Sequence, residues 1–485
     1  MGNSDIQQKL DILVEAMREK FNVPSITVAV GVKGENYCAV SGLSDIEAEI
    51  KAQGNSVYGI ASASKAFIAT ALCILMEEGK LDLDCPVKKY LPDFAMFDSY
   101  MTDHMTIKDA LSHRTGLPRH DFTWFNAKSD STIFDTVKSL AYLPPAYEPR
   151  YRMHYQNHMF ALASAITEKV SGMPWQDFVK NRIFDPLGMS STYATGDIFP
   201  EENTLKARPY KLIEGEHVRI PYRYLNNIGC CGSIYSTVED LLKWAQFHLY
   251  GNENILSNTY RRLLQTPHTP IKAGDFSPTD LSPEVDMASY GLGWFIESYR
   301  DHKMVHHGGT IDGFKSTVGF LPNDEISFTV LSNLNGNQSP MAIGYAMIDM
   351  LLELEYVDWH KKIKTELDKQ HDATVIKFEE LKALCAEKET ECSCLGDYAG
   401  EYHHPGYGSI SFSLDNSKLY LNAIGAAFPV TYIGGEEFMP VSEKTPDNLQ
   451  LYVPFYFERD DKNQVCTVNV YLEEKLKTPI TFNKK

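Results

Sequence analysis

Apolar residues recur every three to four positions over residues 5–21, at Ile6, Leu10, Leu13, Ala16, Met17 and Phe21. That spacing predicts a helix with one apolar face, ended by Pro24. Ile26 to Val32 is dense in apolar and β-branched residues. A turn at Lys33-Gly34-Glu35-Asn36 and a second run from Tyr37 to Val40 follow, which predicts a hairpin. Phe67 to Met76 reads as an apolar helix. Thr106, with Asp109 three residues on and Gly116 as stop, predicts a capped helix. Residues 158–171 form another apolar helix stopped at Gly172. A small-residue turn, Gly229 to Ser233, precedes a helix capped by Thr237.

Residues 266–289, rich in Pro, Thr, Asp and Ser, read as a surface loop. Strands are expected at Met304–His306, Ser316–Leu321 and Ile326–Leu331, with a turn at Pro322 to Glu325. Met341 to Leu352 is a further apolar helix. Strands at both ends of this region with helices between predict a mixed α/β domain, α+β in class, whose sheet is completed late in the chain. Residues 356–395 are charged and helical, a linker with a solvated face. Beyond Gly396 the period shortens to two: Gly400–Tyr402, Gly408–Leu414, Lys418–Ala423, Phe428–Ile433, Leu449–Glu458 and Val465–Leu472 are expected strands of a small all-β barrel or sandwich. The expected division is 1–355, 356–395 and 396–485.

The chain has 485 residues and a net charge of −18. Such an acidic balance argues against nucleic acid or an anionic membrane surface as the main partner. No apolar run reaches membrane-spanning length, and Met1 to Ile6 carries neither a signal-peptide pattern nor a complete myristoylation motif. The nine Cys include adjacent Cys230 and Cys231 and a tight Cys392-Ser393-Cys394. They read as reduced thiols in a cytosolic setting, with no matching ligand pair for a metal.

Candidate chemistry concentrates at Ser62-Ala63-Ser64-Lys65, which opens the Phe67–Met76 helix and is the sole Ser-x-x-Lys of the chain. Residues three apart on a helix share a face, so Lys65 sits one turn from the Ser62 hydroxyl. A helix N-terminus adds free N–H groups and positive dipole. A serine nucleophile needs those parts: an amine to take its proton and donors for the oxyanion it creates. Tyr155-Gln156-Asn157 is a second candidate, a phenol that nearby cations can tune and an orienting amide. Tyr-x-Asn recurs at Tyr224, Tyr250 and Tyr420, so spacing alone does not choose. His306-His307-Gly308-Gly309 is a third, where glycines on a strand edge let a ligand approach the backbone.

The order Ser62-x-x-Lys65, Tyr155-x-Asn157, His306-x-Gly308 resembles the serine beta-lactamase and penicillin-binding-protein superfamily, in its class C-like serine hydrolase branch. Connecting segments fit too: Leu111 to Pro118, Pro186-Leu187-Gly188-Met189, Gly232 to Leu241, Tyr290 to Trp294 and Gly308 to Phe314. The resemblance covers roughly residues 5–355 and selects Tyr155 over its rivals. It implies a beta-lactamase/transpeptidase-like domain with a central antiparallel sheet. The tail resembles the small lipocalin-like β-barrel appended to some of these hydrolases.

The resemblance further implies Ser62 as acylated nucleophile, Lys65 and Tyr155 sharing base and acid work, Asn157 orienting, and the Ser62 and Gly309 amides holding the oxyanion. His306 then replaces a lysine, which weakens anchoring of a substrate carboxylate; the register His307-Gly308-Gly309 is the alternative. Gly308, His307, Arg119 and His120 are expected to line the substrate site, with a solvated loop as the other reading of 119–121. The expected activity is hydrolysis of an amide or ester of a small molecule or peptide, without cofactor or metal. Acyl transfer to an alcohol or amine is the first alternative and a ligand-sensing protein without turnover the second. Homo-oligomer formation is left open.

Overall fold

The structure is a computed structural model that describes residues 3–195, 205–272, 275, 284–388, 392, 394–442 and 451–485. Strands β1 (Ser25–Val32), β2 (Glu35–Asp45), β3 (Ile50–Lys51), β4 (Thr269–Pro270), β5 (Val285–Tyr290), β6 (Phe295–Tyr299), β7 (His302–Ile311), β8 (Phe314–Leu321) and β9 (Ile326–Ser332) form one sheet. Its order is β3-β2-β1-β9-β8-β7-β6-β5-β4, with every neighbouring pair antiparallel. The hairpin expected at residues 26–40 is β1–β2, and β1 then pairs with β9, some 300 residues later in sequence. Chain-distant closure of this kind is what the late strands imply.

Helices cover both faces of the sheet. On one lie α1 (Asn3–Lys20) and, later in the chain, a helix at Ser339–Leu351. Ile6, Leu10, Val14 and Met17 of α1 form its buried stripe, against Val28 and Val30 of β1 and Phe328 and Val330 of β9. These are spaced three and four apart on the helix and two apart on each strand, as the two geometries require. On the other face lie α2 (Lys65–Glu77), α3 (Ile107–Leu111), α4 (His158–Ser171) and α5 (Val238–Tyr250), packed with Ala29, Val318 and Leu331 of the sheet in a second core. The α3 cap forms as expected: the Thr106 side chain accepts from the Asp109 N–H and the Asp109 carboxylate accepts from the Thr106 N–H.

The loop expected at 266–289 is corrected in part. β4 and β5 lie within it and form the edge of the sheet; residues 273–274 and 276–283 lie outside the described residues. An edge strand with two exposed positions in mid-run, Asp286 and Met287, carries no clean alternation.

The Ser339–Leu351 helix is α6, and the charged linker is α7 (Trp359–Lys388), 30 residues and roughly 45 Å long. It is anchored at one end by Trp359, whose indole donates to Asp349 at 2.7 Å, and beyond its middle by Phe378, edge-on to Tyr452. After it, β10 (Gly400–His404), β11 (Gly408–Asp415), β12 (Lys418–Ala423), β13 (Ala426–Gly434), β14 (Glu437–Pro440), β15 (Phe455–Arg459), β16 (Val465–Val470) and β17 (Ile480–Lys484) close into a barrel. β14 and β17 are additions to the strands expected from the sequence. The strand expected from Leu449 begins at Phe455, and residues 449–450 lie outside the described residues. Phe122 and Leu143 of the first domain share one buried cluster with Tyr407 and Phe412 of the barrel.

Candidate active site

The chain reaches α2 through a tight turn, Ala61–Ser64. Ala61 takes a left-handed backbone, φ 48°, which costs a non-glycine residue about 1–3 kcal/mol and marks a turn held by its surroundings. Ser62 is half-buried and Lys65, at the first position of α2, is fully buried. Lys65 Nζ donates to Ser62 Oγ at 3.1 Å and to the Cys231 carbonyl at 2.9 Å. The Gly229–Ser233 turn thus supplies the second anchor of the amine. Lys65 Nζ also lies 4.8 Å from the centre of the Tyr155 ring. Helix geometry predicts the Ser62–Lys65 contact; the Tyr155 approach needs α4, which begins three residues after it.

β7 forms the other wall. It pairs with β6 only as far as His306, opposite Phe295, so from His307 onward that edge is open and the Ala61–Ser64 turn packs beside it. At Gly309 a Cβ would meet the Ile60 carbonyl oxygen at 2.1 Å and Ser62 N at 2.8 Å. Only glycine lets the turn lie that close to the strand.

The register across the sheet decides which imidazole faces Ser62. His307 stands opposite Val318, which stands opposite Thr329 and then Ala29; Ala29 and Val318 belong to the core that contains α2. His306 stands opposite Gly319 and then Phe328, in the core under α1 and α6. The expectation for His306 is corrected in part: it lines the cleft together with His307, but the imidazole on the α2 face is that of His307. β7 borders the cleft, but the His306 imidazole turns to the opposite face, where its Nε2 lies 2.9 Å from Glu297 Oε1 with both side chains at most 2% exposed. A shift of one residue along a strand reverses every side chain.

His307 Nδ1 lies 2.6 Å from the Gly308 carbonyl and Nε2 lies 2.9 Å from the Tyr290 hydroxyl. A carbonyl only accepts, so Nδ1 carries the proton and Nε2 accepts from Tyr290. Burial first, and the Lys65 charge second, hold His307 well below the ordinary histidine range. It is a neutral imidazole where a lysine would be a cation. His113 packs 4.3 Å from the Tyr155 ring and 4.6 Å from Tyr290 and is held low by the same two causes.

Asn157 donates from Nδ2 to Asp121 Oδ1 at 3.1 Å. A carboxylate cannot donate to a carbonyl oxygen, so this contact fixes the amide orientation and leaves the buried Oδ1 as an acceptor without a partner among the described residues. Arg119 lies on the cleft, its guanidinium 5.5 Å from the Tyr155 ring centre, and its Nε donates to Asp121 at 2.5 Å. His120 does not line the cleft: it is fully buried and bonds to Tyr407 of the barrel and to the Pro144 carbonyl. Sequence reasoning passes over Tyr290 and His113 as chemistry, although both stand inside segments that carry the resemblance. The cleft bounded by Ser62, Tyr155, His307, Gly309 and Arg119 holds about 190 Å³. Drug-sized ligand sites run from roughly 300 Å³ upward, so this cleft is smaller than those.

Comparison with known proteins shows what the chain is similar to. Over 461 residues the chain is 26% identical to the unguisins hydrolase ungD' of Aspergillus campestris, covering 90% of this chain and 83% of that protein. An octameric penicillin-binding protein homologue from Pyrococcus abyssi superposes with a TM-score of 0.63 at 23% identity, covering 98% of this chain and 99% of that one. The D-amino acid amidase of Ochrobactrum anthropi SV3 superposes with a TM-score of 0.61 at 24% identity, covering 72% of this chain and 98% of its own. The first match reaches into the barrel and the second covers nearly all of it; the third leaves more than a quarter of the chain uncovered. The family model described as Beta-lactamase matches residues 10–349, and the chain belongs to that family.

Proposed function

We infer that this protein is a serine hydrolase that cleaves an amide or ester of a small molecule or peptide through an acyl-Ser62 intermediate. The observation that carries the reading is the 3.1 Å contact between the buried Lys65 amine and the half-buried Ser62 hydroxyl. Tyr155 stands beside that amine. In this reading Ser62 Oγ attacks the substrate carbonyl carbon as its proton passes to the Lys65–Tyr155 pair. The oxyanion is met by the Ser62 amide and the open strand edge at Gly309. The tetrahedral intermediate collapses with protonation of the leaving amine or alcohol, and water then attacks the acyl-enzyme by the reverse proton path. Asn157 Oδ1 orients the substrate or the Lys65 amine. His307, not His306, orients the Tyr290–Tyr155 wall. The relative that aligns over 90% of this chain is named a hydrolase and a structural neighbour is an amidase, which supports hydrolysis over the acyl-transfer alternative.

The test is intact-protein mass after exposure to a fluorophosphonate probe, followed by turnover of a panel of activated esters and amino-acid amides. One probe adduct is expected on the wild type and none on Ser62→Ala. Absence of the adduct on folded wild type overturns the reading. Product masses with alcohol or amine acceptors present separate hydrolysis from transfer.

A further inference from the structure

The loop after Pro118 carries two residues of the cleft wall, Arg119 and Asp121, and the barrel grips it from three directions. His120, at φ 50°, places Nε2 3.0 Å from the Pro144 carbonyl and Nδ1 2.5 Å from the Tyr407 hydroxyl. The carbonyl takes the Nε2 proton, so Nδ1 is the acceptor and Tyr407 donates. Asn126, at the far end of the loop, donates to the carbonyls of Tyr407 and Ser409 at 3.2 and 2.9 Å and accepts the Ile424 N–H at 2.9 Å. Glu473 enters from the third side, three residues after β16, with 9% of its surface exposed. The groups that act on its carboxyl are Asp121, the His120 backbone N–H, Arg119 and Glu474, its neighbour in the chain; Tyr407 feels its charge. Glu473 Oε1 is buried and has no hydrogen-bond partner among the described residues.

Asp121 is the hub of this arrangement. Its Oδ1 accepts from Asn157 Nδ2 at 3.1 Å and from the Trp124 indole at 2.8 Å, and its Oδ2 from Arg119 at 2.5 Å. We propose that Glu473 and Tyr407 of the barrel are positioning residues for the Ser62 site, holding this loop so that Asp121 stays on Asn157 and Arg119 stays over Tyr155. The proposal rests on the hydrolase reading for its effect on rate and on the loop geometry for the rest.

Glu473 gives the device a pH dependence. Burial, then the neighbouring Asp121 carboxylate, push its carboxyl up to about 8. Around neutrality it is an uncharged acid and Arg119 belongs to Asp121. In alkali it becomes a second carboxylate beside the first, repels Asp121 and competes for Arg119, so the Asp121–Asn157 contact loosens.

The experiment uses the full chain and two readouts between pH 6.5 and 9.5: the rate of Ser62 acylation by the fluorophosphonate probe, and tryptophan emission, with Trp124→Phe assigning the part due to Trp124. In the wild type both should change with a midpoint near 8. Glu473→Gln, isosteric with the uncharged acid, should abolish that midpoint and exceed the wild-type acylation rate at pH 9 by about threefold. Tyr407→Phe should slow acylation severalfold throughout the range while the midpoint persists. A Glu473→Gln profile that superposes on the wild type in both readouts overturns the proposal. If the wild type takes no probe, the hydrolase reading fails, and the emission titration still decides the positioning role: a Trp124 midpoint lost in Glu473→Gln supports it, and one that is absent from the wild type or retained in the variant sinks it.

Discussion

His306 and His307 are adjacent in sequence and belong to different layers of the molecule. The layer under α1 and α6 takes the His306 imidazole and sets it against Glu297, although His306 still contributes to the wall of the cleft. The layer that contains α2 takes His307 and sets it beside Tyr290 and Tyr155. Both residues are 1% exposed, and both carry the same ring. What differs is the company: one imidazole lies against the Glu297 side chain inside a packed layer, and the other lies beside Tyr290, Tyr155 and the Lys65 side chain at the edge of an open strand. Burial alone therefore does not distinguish the two histidines; the face of the strand does.

The largest test of that contrast exchanges the two roles by deletion. His307→Leu should lower the rate of Ser62 acylation by about a hundredfold, the usual scale for losing an orienting or acid–base group, and should cost about 1 kcal/mol in unfolding for the Tyr290 hydroxyl it leaves unpaired. His306→Leu strands Glu297 in an apolar layer and should cost about 3 kcal/mol in urea unfolding, with acylation nearly unchanged while the protein is folded. If His306→Leu is the variant that loses acylation, the assignment of faces is wrong.

Acid sharpens the contrast next. On the Ser62 side, burial holds His158 down to about 4 and His120 down to about 3, with His113 and His307 also well below the usual value. In the unfolded chain these rings protonate near 6.5. Between those limits the unfolded state binds more protons, so stability rises with pH, is fully present above about 6.5 and is lost as pH falls below it. Each such ring should remove roughly 2 kcal/mol by pH 5. Urea midpoints at pH 7.5 and 5 measure the loss, and His158→Gln should reduce the difference; an unchanged difference removes His158 from the account.

The smallest test uses the two glycines that follow. A Cβ at Gly309 strikes the Ile60 carbonyl at 2.1 Å, whereas one at Gly308, on the other face, meets its nearest atom at 3.4 Å. Gly309→Ala should slow acylation about tenfold by pushing the Ser62 turn off the strand, and Gly308→Ala should leave it close to wild type. Equal effects would mean that the turn does not depend on this approach.

Much of this architecture is legible in the residues alone. The Ser62–Lys65 contact is local, three residues on one turn, and helical geometry fixes such contacts. The α1 stripe, the first hairpin, the charged linker helix and most barrel strands carry their period in the residues that form them. Asn157 and Arg119 are legible as candidates but not as partners of Asp121. β14, four residues long, and β17, ending in polar Asn483 and Lys484, are too short or too polar to show a period. His120 is misplaced by sequence reasoning because a buried imidazole and a cleft imidazole look alike along the chain.

The sequence by itself determined what is set by neighbours along the chain: helices, hairpins, caps and the serine–lysine pair. Tertiary structure alone decided the rest. The phase of β7 depends on which face the helices cover, and that choice lies in α1, α2 and α6 rather than in the strand. The seat of Tyr155 depends on α4 meeting α2. The grip of Glu473 and Tyr407 on the Arg119–Asp121 loop joins residues about 290–350 positions apart. No local propensity encodes such a contact; it exists only because burying both domains in one continuous core brings the barrel against that loop.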